Sequence, residues 1–191
     1  MVVNKTDQST FEATVKAISS GGITILPCDT IYGICGVAPT TEDRIRDLKE
    51  RDEKKPFILL ISSLSMLRTV AEEPVDRRLQ SFWPGPLTLV VRNRAGGTVA
   101  VRIPADDFVR RVIDRCGPIY SSSVNVTGSP SLNTIDEIVT QFEARVDLIV
   151  DGGDFIGHLA STVVDSTTSP YRLIRPGACL LPESLFTIDT D

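Results

Sequence analysis

The sequence predicts an α/β fold: a single domain over residues 8–181, built on a mixed β-sheet with helices packed on it, and a tail over residues 182–191. Three observations carry that reading. Strand-like apolar runs alternate with helix-like amphipathic segments along the whole chain. No internal repeat, low-complexity tract or long linker interrupts the alternation. The composition, 41% apolar and 24% charged over 191 residues, is ordinary for a globular domain and long enough for a sizeable core.

The elements follow in order. Phe11, Val15 and Ile18 recur at helical spacing, and Gly21-Gly22 stops that helix. Residues 23–26 form a short buried strand ending at Pro27. Thr40 or Thr41 caps a second helix running to about Arg51, with Ile45 and Leu48 on its inner face. Residues 57–61 read as a strand, and 64–71 and 75–82 as helices. Residues 87–92 and 98–103 flank the turn Arg94-Ala95-Gly96-Gly97 and pair as a hairpin. A helix over 108–115, a strand over 119–122 and a helix over 135–142, N-capped by Thr134, come next. Late strands lie at 148–150, 162–164 and 172–174.

Several function classes drop out. No apolar run approaches the roughly 18 residues of a membrane helix, and residues 1–10 are polar without a signal-peptide pattern. The expectation is a cytoplasmic protein with no membrane association. A net charge of −5 counts against a dedicated, nonspecific nucleic-acid binder, although a local basic cleft remains compatible with it. Cys28, Cys35, Cys116 and Cys179 form no C-x-x-C pair, and His158 is the single histidine. That excludes a conventional zinc site and leaves the cysteines as free thiols. P-loop, G-x-G-x-x-G and G-x-S-x-G motifs are all absent.

What remains is a set of polar clusters at strand ends. Lys49, Arg51, Lys54 and Lys55 crowd the end of the second helix, just before the strand at 57–61. They either solvate the helix terminus or meet an anionic ligand. The run Tyr120-Ser121-Ser122-Ser123-Val124-Asn125, continuing through Thr127, Gly128, Ser129 and Ser131, places hydroxyls and an amide in a loop after a strand. Such loops offer donors to phosphate, ribose or carboxylate oxygens. Pro27-Cys28-Asp29-Thr30-Ile31-Tyr32-Gly33 is a polar loop at a strand's carboxyl end, where open α/β sheets bind ligands. Trp83-Pro84-Gly85-Pro86 is rigid and structural. Arg102 lies within an apolar strand, so it must face an anion, either a ligand or an internal carboxylate.

Taken in order, these pieces resemble the YrdC family, also called TsaC, in its short bacterial form. That family's pattern is P-T-[DE]-T-x-Y-G, K-x-R, W-P-G-P-L-T, V-R-x-P, S-x-N-x-[ST]-G, S-T-[VI]-[VI]-D and R-x-G. The matches run here from Pro27 to Gly177. Cys28 replaces the first threonine, Leu60 stands where some members carry a histidine, and Asp52 replaces a common proline. The resemblance implies a twisted mixed sheet with flanking helices and an open, positively charged cleft. It implies a nucleotidyltransferase that makes threonylcarbamoyl-AMP and pyrophosphate from L-threonine, bicarbonate and ATP, with Mg²⁺. Proteins of a threonylcarbamoyl-transferase complex then act downstream on tRNA, and the chain itself binds tRNA weakly if at all.

By position, Lys49, Arg51, Ser123 and Asn125 correspond to the catalytic nucleotide-site residues. Lys55, Thr98, Ser131 and Arg175, with Arg51 and Ser123, fall where the family contacts ATP. Thr30, Arg102, Ser121 and Ser161 fall where it contacts threonine, and Tyr32 joins Thr30 in a slot for the threonine side chain. The carbamate nucleophile is already an anion, so alignment and charge neutralisation matter more than acid–base chemistry. On this reading Lys49→Ala and Arg51→Ala leave the fold intact but lose most activity. Alternative readings are a paralog like YciO with different nucleotide chemistry, and a noncatalytic RNA-binding protein of the same fold.

Overall fold

A computed structural model describes residues 1–50 and 56–186; the expectations placed on Arg51, Lys54 and Lys55 lie outside the described residues. The strands are β1 (Val2–Asn4), β2 (Thr24–Pro27), β3 (Tyr32–Val37), β4 (Ile58–Leu60), β5 (Leu87–Asn93), β6 (Gly97–Arg102), β7 (Ile119–Ser123), β8 (Leu148–Asp151), β9 (Thr162–Asp165) and β10 (Arg172–Arg175). The helices are α1 (Thr10–Ser19), α2 (Glu42–Lys49), α3 (Leu64–Val70), α4 (Arg77–Gln80), α5 (Asp107–Cys116) and α6 (Ile135–Phe142). The strands join in one sheet of order β1-β8-β2-β3-β7-β4-β6-β5-β9-β10. It is mixed, as the sequence predicts: β2 runs parallel to β8 and antiparallel to β3, while β6 runs parallel to β4 and antiparallel to β5.

The sheet has two differently covered halves. Around β8, β2, β3 and β7, α1 and α5 pack on one face through Val15, Ile18, Val109, Val112 and Ile113. On the other face α2 and α6 bury Ile45, Ile138 and Phe142 against Ile25, Ile34 and Ile149. Each such side chain contributes roughly 1.5–3 kcal/mol by leaving water. Around β6, β5 and β9, α3 and α4 cover one face with Leu67 and Leu79 over Leu87, Leu89, Val91, Val101 and Val164. The strand period of two sends the intervening Val90, Ala100 and Arg102 to the opposite face, where they floor a cavity.

Three of the six helices among the described residues, α3, α4 and α5, begin with a side-chain cap. The Asp106 carboxylate accepts from the Val109 amide at 3.0 Å, and the Asp76 carboxylate from the Arg78 amide at 2.8 Å. Thr134 occupies the N-cap position of α6 but does not cap it by its side chain. Its hydroxyl donates to Glu137, and the Ile135 amide is instead met by Asp154 at 2.9 Å.

Four boundaries differ from the sequence expectation. β3 takes Tyr32 and Gly33 from the expected polar loop and runs on to Val37, a strand that the sequence does not announce because its two glycines lower strand propensity. Those glycines are required by close packing: a Cβ on Gly33 would lie 2.5 Å from Ser121 Oγ, and one on Gly36 2.4 Å from Thr41 Oγ1. Gly33→Ala is therefore expected to cost about 1–3 kcal/mol, read as a lowered midpoint in thermal or urea denaturation. α2 ends at Lys49, since Glu50 turns left-handed at φ 50°. The helix expected over 75–82 shortens to α4, four residues long. The ordered fold also exceeds 8–181. β1 adds an edge strand parallel to β8, and a 3₁₀ turn at Glu183–Leu185 buries Leu185 to 5% exposure in the core.

Candidate active site

A cavity of about 320 Å³ opens over the uncovered face of β6, β5 and β9. The loop between β2 and β3 supplies Thr30, and β3 supplies Tyr32. Ser121, Ser122 and Ser123 enter from β7, Ser131 from the loop beyond it, and Arg102 from β6. Ala160, Ser161, Ile174 and Arg175 close the far side. Residues more than a hundred positions apart are thus brought together by the sheet order.

Arg102 is 3% exposed. Its Nη1 donates to Asp29 Oδ1 at 2.6 Å, so the anion that a buried arginine requires is, in part, an internal carboxylate. Its Nε is buried and has no acceptor among the described residues. Arg175 stands near it and donates from Nη2 and Nε to the Ser161 carbonyl at 2.8 and 3.2 Å. Burial, and then the like charge of Arg102, pull the Arg175 guanidinium below its ordinary pKa. Two guanidiniums beside one cavity favour an anionic occupant. Ser161 Oγ shares a hydrogen bond of 2.8 Å with Thr88 Oγ1, which fixes the serine within the buried floor.

Lys49 takes a different place from the one expected of a phosphate-facing cation. It is 1% exposed and lies outside the cavity lining. Its ammonium donates to the Ser123 carbonyl, to the Asn125 carbonyl at 2.7 Å and to Asn125 Oδ1 at 2.9 Å. Ser123 Oγ donates to the same Asn125 Oδ1 at 2.6 Å, and the Thr127 amide returns a bond to the Lys49 carbonyl at 2.9 Å. Asn125 Nδ2 donates to the Ser129 carbonyl at 2.7 Å. Lys49 and Asn125 therefore organise the loop that presents Ser123 and Ser131. The geometry argues against the expectation that Lys49→Ala spares the fold, because the change takes the ammonium from three partly buried acceptors.

Tyr32 borders the cavity with its ring, but its hydroxyl is engaged elsewhere. It donates to the Gly153 carbonyl at 2.8 Å and accepts from the Gly152 amide at 2.9 Å. Burial pushes that hydroxyl up to about 12 against the opposing Gly152 hydrogen bond, so it stays protonated. Phe155 packs on the Tyr32 ring at 5.0 Å, His158 stacks on Phe155 at 4.9 Å, and His158 Nδ1 donates to the Thr30 carbonyl at 3.1 Å. This network ties the loop leading to Ala160 and Ser161 onto the Thr30–Tyr32 segment. Tyr32→Phe loses both hydroxyl bonds. It is expected to cost about 1–3 kcal/mol and to raise protease sensitivity between β8 and β9, checked by limited proteolysis.

Thr98 is exposed on β6, on the face of Ala100 and Arg102 but beyond the cavity lining. Arg51 and Lys55 lie outside the described residues. Cys28, the departure from the threonine pattern, is 1% exposed; its hydrogen bond to Cys35, then burial, raises its thiol well above its usual value. It is a packed thiol, and all four cysteines are free. Sequence reasoning gave no role to Asp29, nor to the apolar wall of Ile58, Val90, Ala100, Val163 and Ile174. The alternation along 87–92 and 98–103 held the signal for Val90 and Ala100 of that wall. Among the described residues, no cluster of three or more His, Cys, Asp or Glu side chains could hold a metal ion, and no helix is long and apolar enough to cross a membrane.

Comparison with known proteins places these features in a family. The Sua5/YciO/YrdC domain model, described as "Telomere recombination", matches residues 16–177. A threonylcarbamoyl-AMP synthase of Pyrococcus abyssi is 35% identical over 182 residues, covering 87% of this chain and 53% of the relative. One from Idiomarina loihiensis is 32% identical over 185 residues, covering 87% of this chain and 93% of the relative. Among solved structures, P. abyssi Sua5 complexed with L-threonine superposes with a TM-score of 0.85 at 29% identity, over 93% of this chain and 57% of that one. E. coli YciO superposes at 0.81 over 98% of this chain and 97% of that one, but at 22% identity it speaks for the fold alone. The chain thus spans little more than half the length of its P. abyssi relative and most of its I. loihiensis relative. With a family model covering most of its length and a relative above 30% identity matched nearly end to end, the chain belongs to the Sua5/YciO/YrdC family.

Proposed function

We propose that the chain is a threonylcarbamoyl-AMP synthase, a nucleotidyltransferase acting on L-threonine, bicarbonate and ATP. The observation that carries the reading is the pairing of Arg102 and Arg175 with a row of serine hydroxyls around one cavity, in a chain whose relatives bear that name. The threonine amine adds to CO₂ derived from bicarbonate, and the proton released leaves a carbamate. One carbamate oxygen attacks the α-phosphorus of ATP, the bond to the β-phosphate oxygen breaks, and pyrophosphate departs with the electron pair.

Each group of residues has a task in that displacement. Arg102 holds the threonine carboxylate, with Thr30, Ser121 and Ser161 beside it. Arg175, Ser123 and Ser131 line the cavity where the nucleotide phosphates would lie, and Arg51 and Lys55 are assigned to them by sequence position alone. Lys49 and Asn125 keep Ser123 in place. Mg²⁺ would enter with ATP as part of the substrate. The adenylate then passes to proteins that transfer the threonylcarbamoyl group to tRNA.

The test is pyrophosphate release from purified protein given ATP, Mg²⁺, bicarbonate and threonine. Release requiring both threonine and bicarbonate, and weak with serine or glycine, is the expected result. A folded sample that binds ATP but shows no threonine-dependent release would overturn the reading in favour of YciO-like or RNA-binding chemistry.

A further inference from the structure

We infer that Asp29 is a positioning residue, which holds Arg102 so that one edge of its guanidinium stays available to a substrate carboxylate. The inference rests on the synthase reading and assigns a role to a side chain outside the cavity lining. Asp29 lies in the turn between β2 and β3, behind Thr30, and takes Arg102 Nη1 at 2.6 Å. Its side chain is 12% exposed and that of Arg102 is 4% exposed, so the pair is largely withdrawn from water.

The geometry of the guanidinium gives the pair its meaning. Arginine presents five N–H groups, and its Nε and Nη2 form a planar fork matched to the two oxygens of a carboxylate. Asp29 accepts from Nη1 and leaves that fork untouched; the buried Nε has no acceptor, and Asp29 is the one hydrogen-bond partner of the guanidinium among the described residues. A buried, unsatisfied donor on a cavity-lining arginine is costly unless something completes it. An amino-acid carboxylate that binds Nη2 and draws the occluded Nε toward it does so, and the Asp29 bond at the opposite side fixes the plane of the fork in advance.

Without Asp29 the guanidinium has no internal anchor, and Arg175 nearby repels it. The fork would then rotate or withdraw, and the carboxylate would be bound in a poorer register. Small misplacements of this kind cost on the order of 10- to 100-fold.

Steady-state pyrophosphate release, with threonine and ATP varied separately, tests the role in wild type, Asp29→Ala and Asp29→Asn. Asp29→Ala is expected to raise the threonine KM about 10-fold or more, with the ATP KM nearly unchanged. Asp29→Asn keeps an oxygen for Nη1 and is expected to recover most of the wild-type threonine KM. An unchanged threonine KM in Asp29→Ala overturns the inference, and so does an equal rise in both KM values. If Asp29→Ala fails to fold, Asp29→Glu carries the test: it keeps the charge but displaces the oxygens by one methylene. A selective rise in threonine KM then supports the role, and none overturns it. Wild-type protein without threonine-dependent release overturns the functional reading and this inference together. An active wild type indifferent to Asp29 overturns the inference alone.

Discussion

Replacing Lys49 by alanine is expected to reduce pyrophosphate release by about 10²–10³-fold and to lower unfolding free energy by roughly 2–4 kcal/mol. Both effects come from the same buried ammonium. It gathers the carbonyls of Ser123 and Asn125 and the Asn125 side-chain oxygen around one charge. Alanine takes the ammonium from those partly buried acceptors, although Asn125 Oδ1 keeps the Ser123 hydroxyl as a donor. The loop from Ser123 to Ser131 then loses its anchor on α2, and the hydroxyls it carries to the cavity lose their register. Lys49→Met separates charge from packing, since it keeps the alkyl stem. If Met behaves like Ala, the ammonium is the essential part. If the loop serves ATP, the ATP KM rises in both variants while the threonine KM changes little. Wild-type turnover in either variant, measured as pyrophosphate release, would remove Lys49 and its loop from the mechanism.

The legible parts of this fold were those set by local pattern. The β5–β6 hairpin follows from period-two alternation on either side of a glycine turn, and α1, α5 and α6 follow from helical spacing. Arg102 was also legible as a problem, since a cation in an apolar strand demands an anion. The chain did not say which anion: Asp29 lies 73 positions away and meets it only because the sheet order brings the β2–β3 turn beside the end of β6. β3 was hidden by Gly33 and Gly36, whose purpose is to admit Ser121 and Thr41 from other elements. The use of the Tyr32 hydroxyl was hidden for the same reason, because its partner Gly152 is 120 residues distant. Motif resemblance singled out Lys49 and suggested a ligand contact. Its burial behind Ser123 makes it an organiser of that loop, a distinction that depends on tertiary packing.

Arg102→Lys provides the sharpest test of how the cavity reads its amino-acid substrate. The change preserves a positive charge and most of the side-chain volume, so Asp29 keeps a partner and the sheet keeps its packing. What disappears is the fork. A lysine ammonium is a compact point charge, and beside Asp29 it is drawn to that carboxylate. It cannot also offer two parallel N–H groups to a second one. The threonine KM is therefore expected to rise on the order of 100-fold, equivalent to about 2.7 kcal/mol, while the ATP KM moves by no more than about twofold. Removing a contact made equally in ground and transition states leaves kcat near its original value. Direct calorimetry should show the same loss for threonine alone, without nucleotide. Equal losses toward threonine and ATP would place Arg102 on the phosphates instead, and the threonine carboxylate would have to be reassigned to Arg175, the other guanidinium lining the cavity among the described residues.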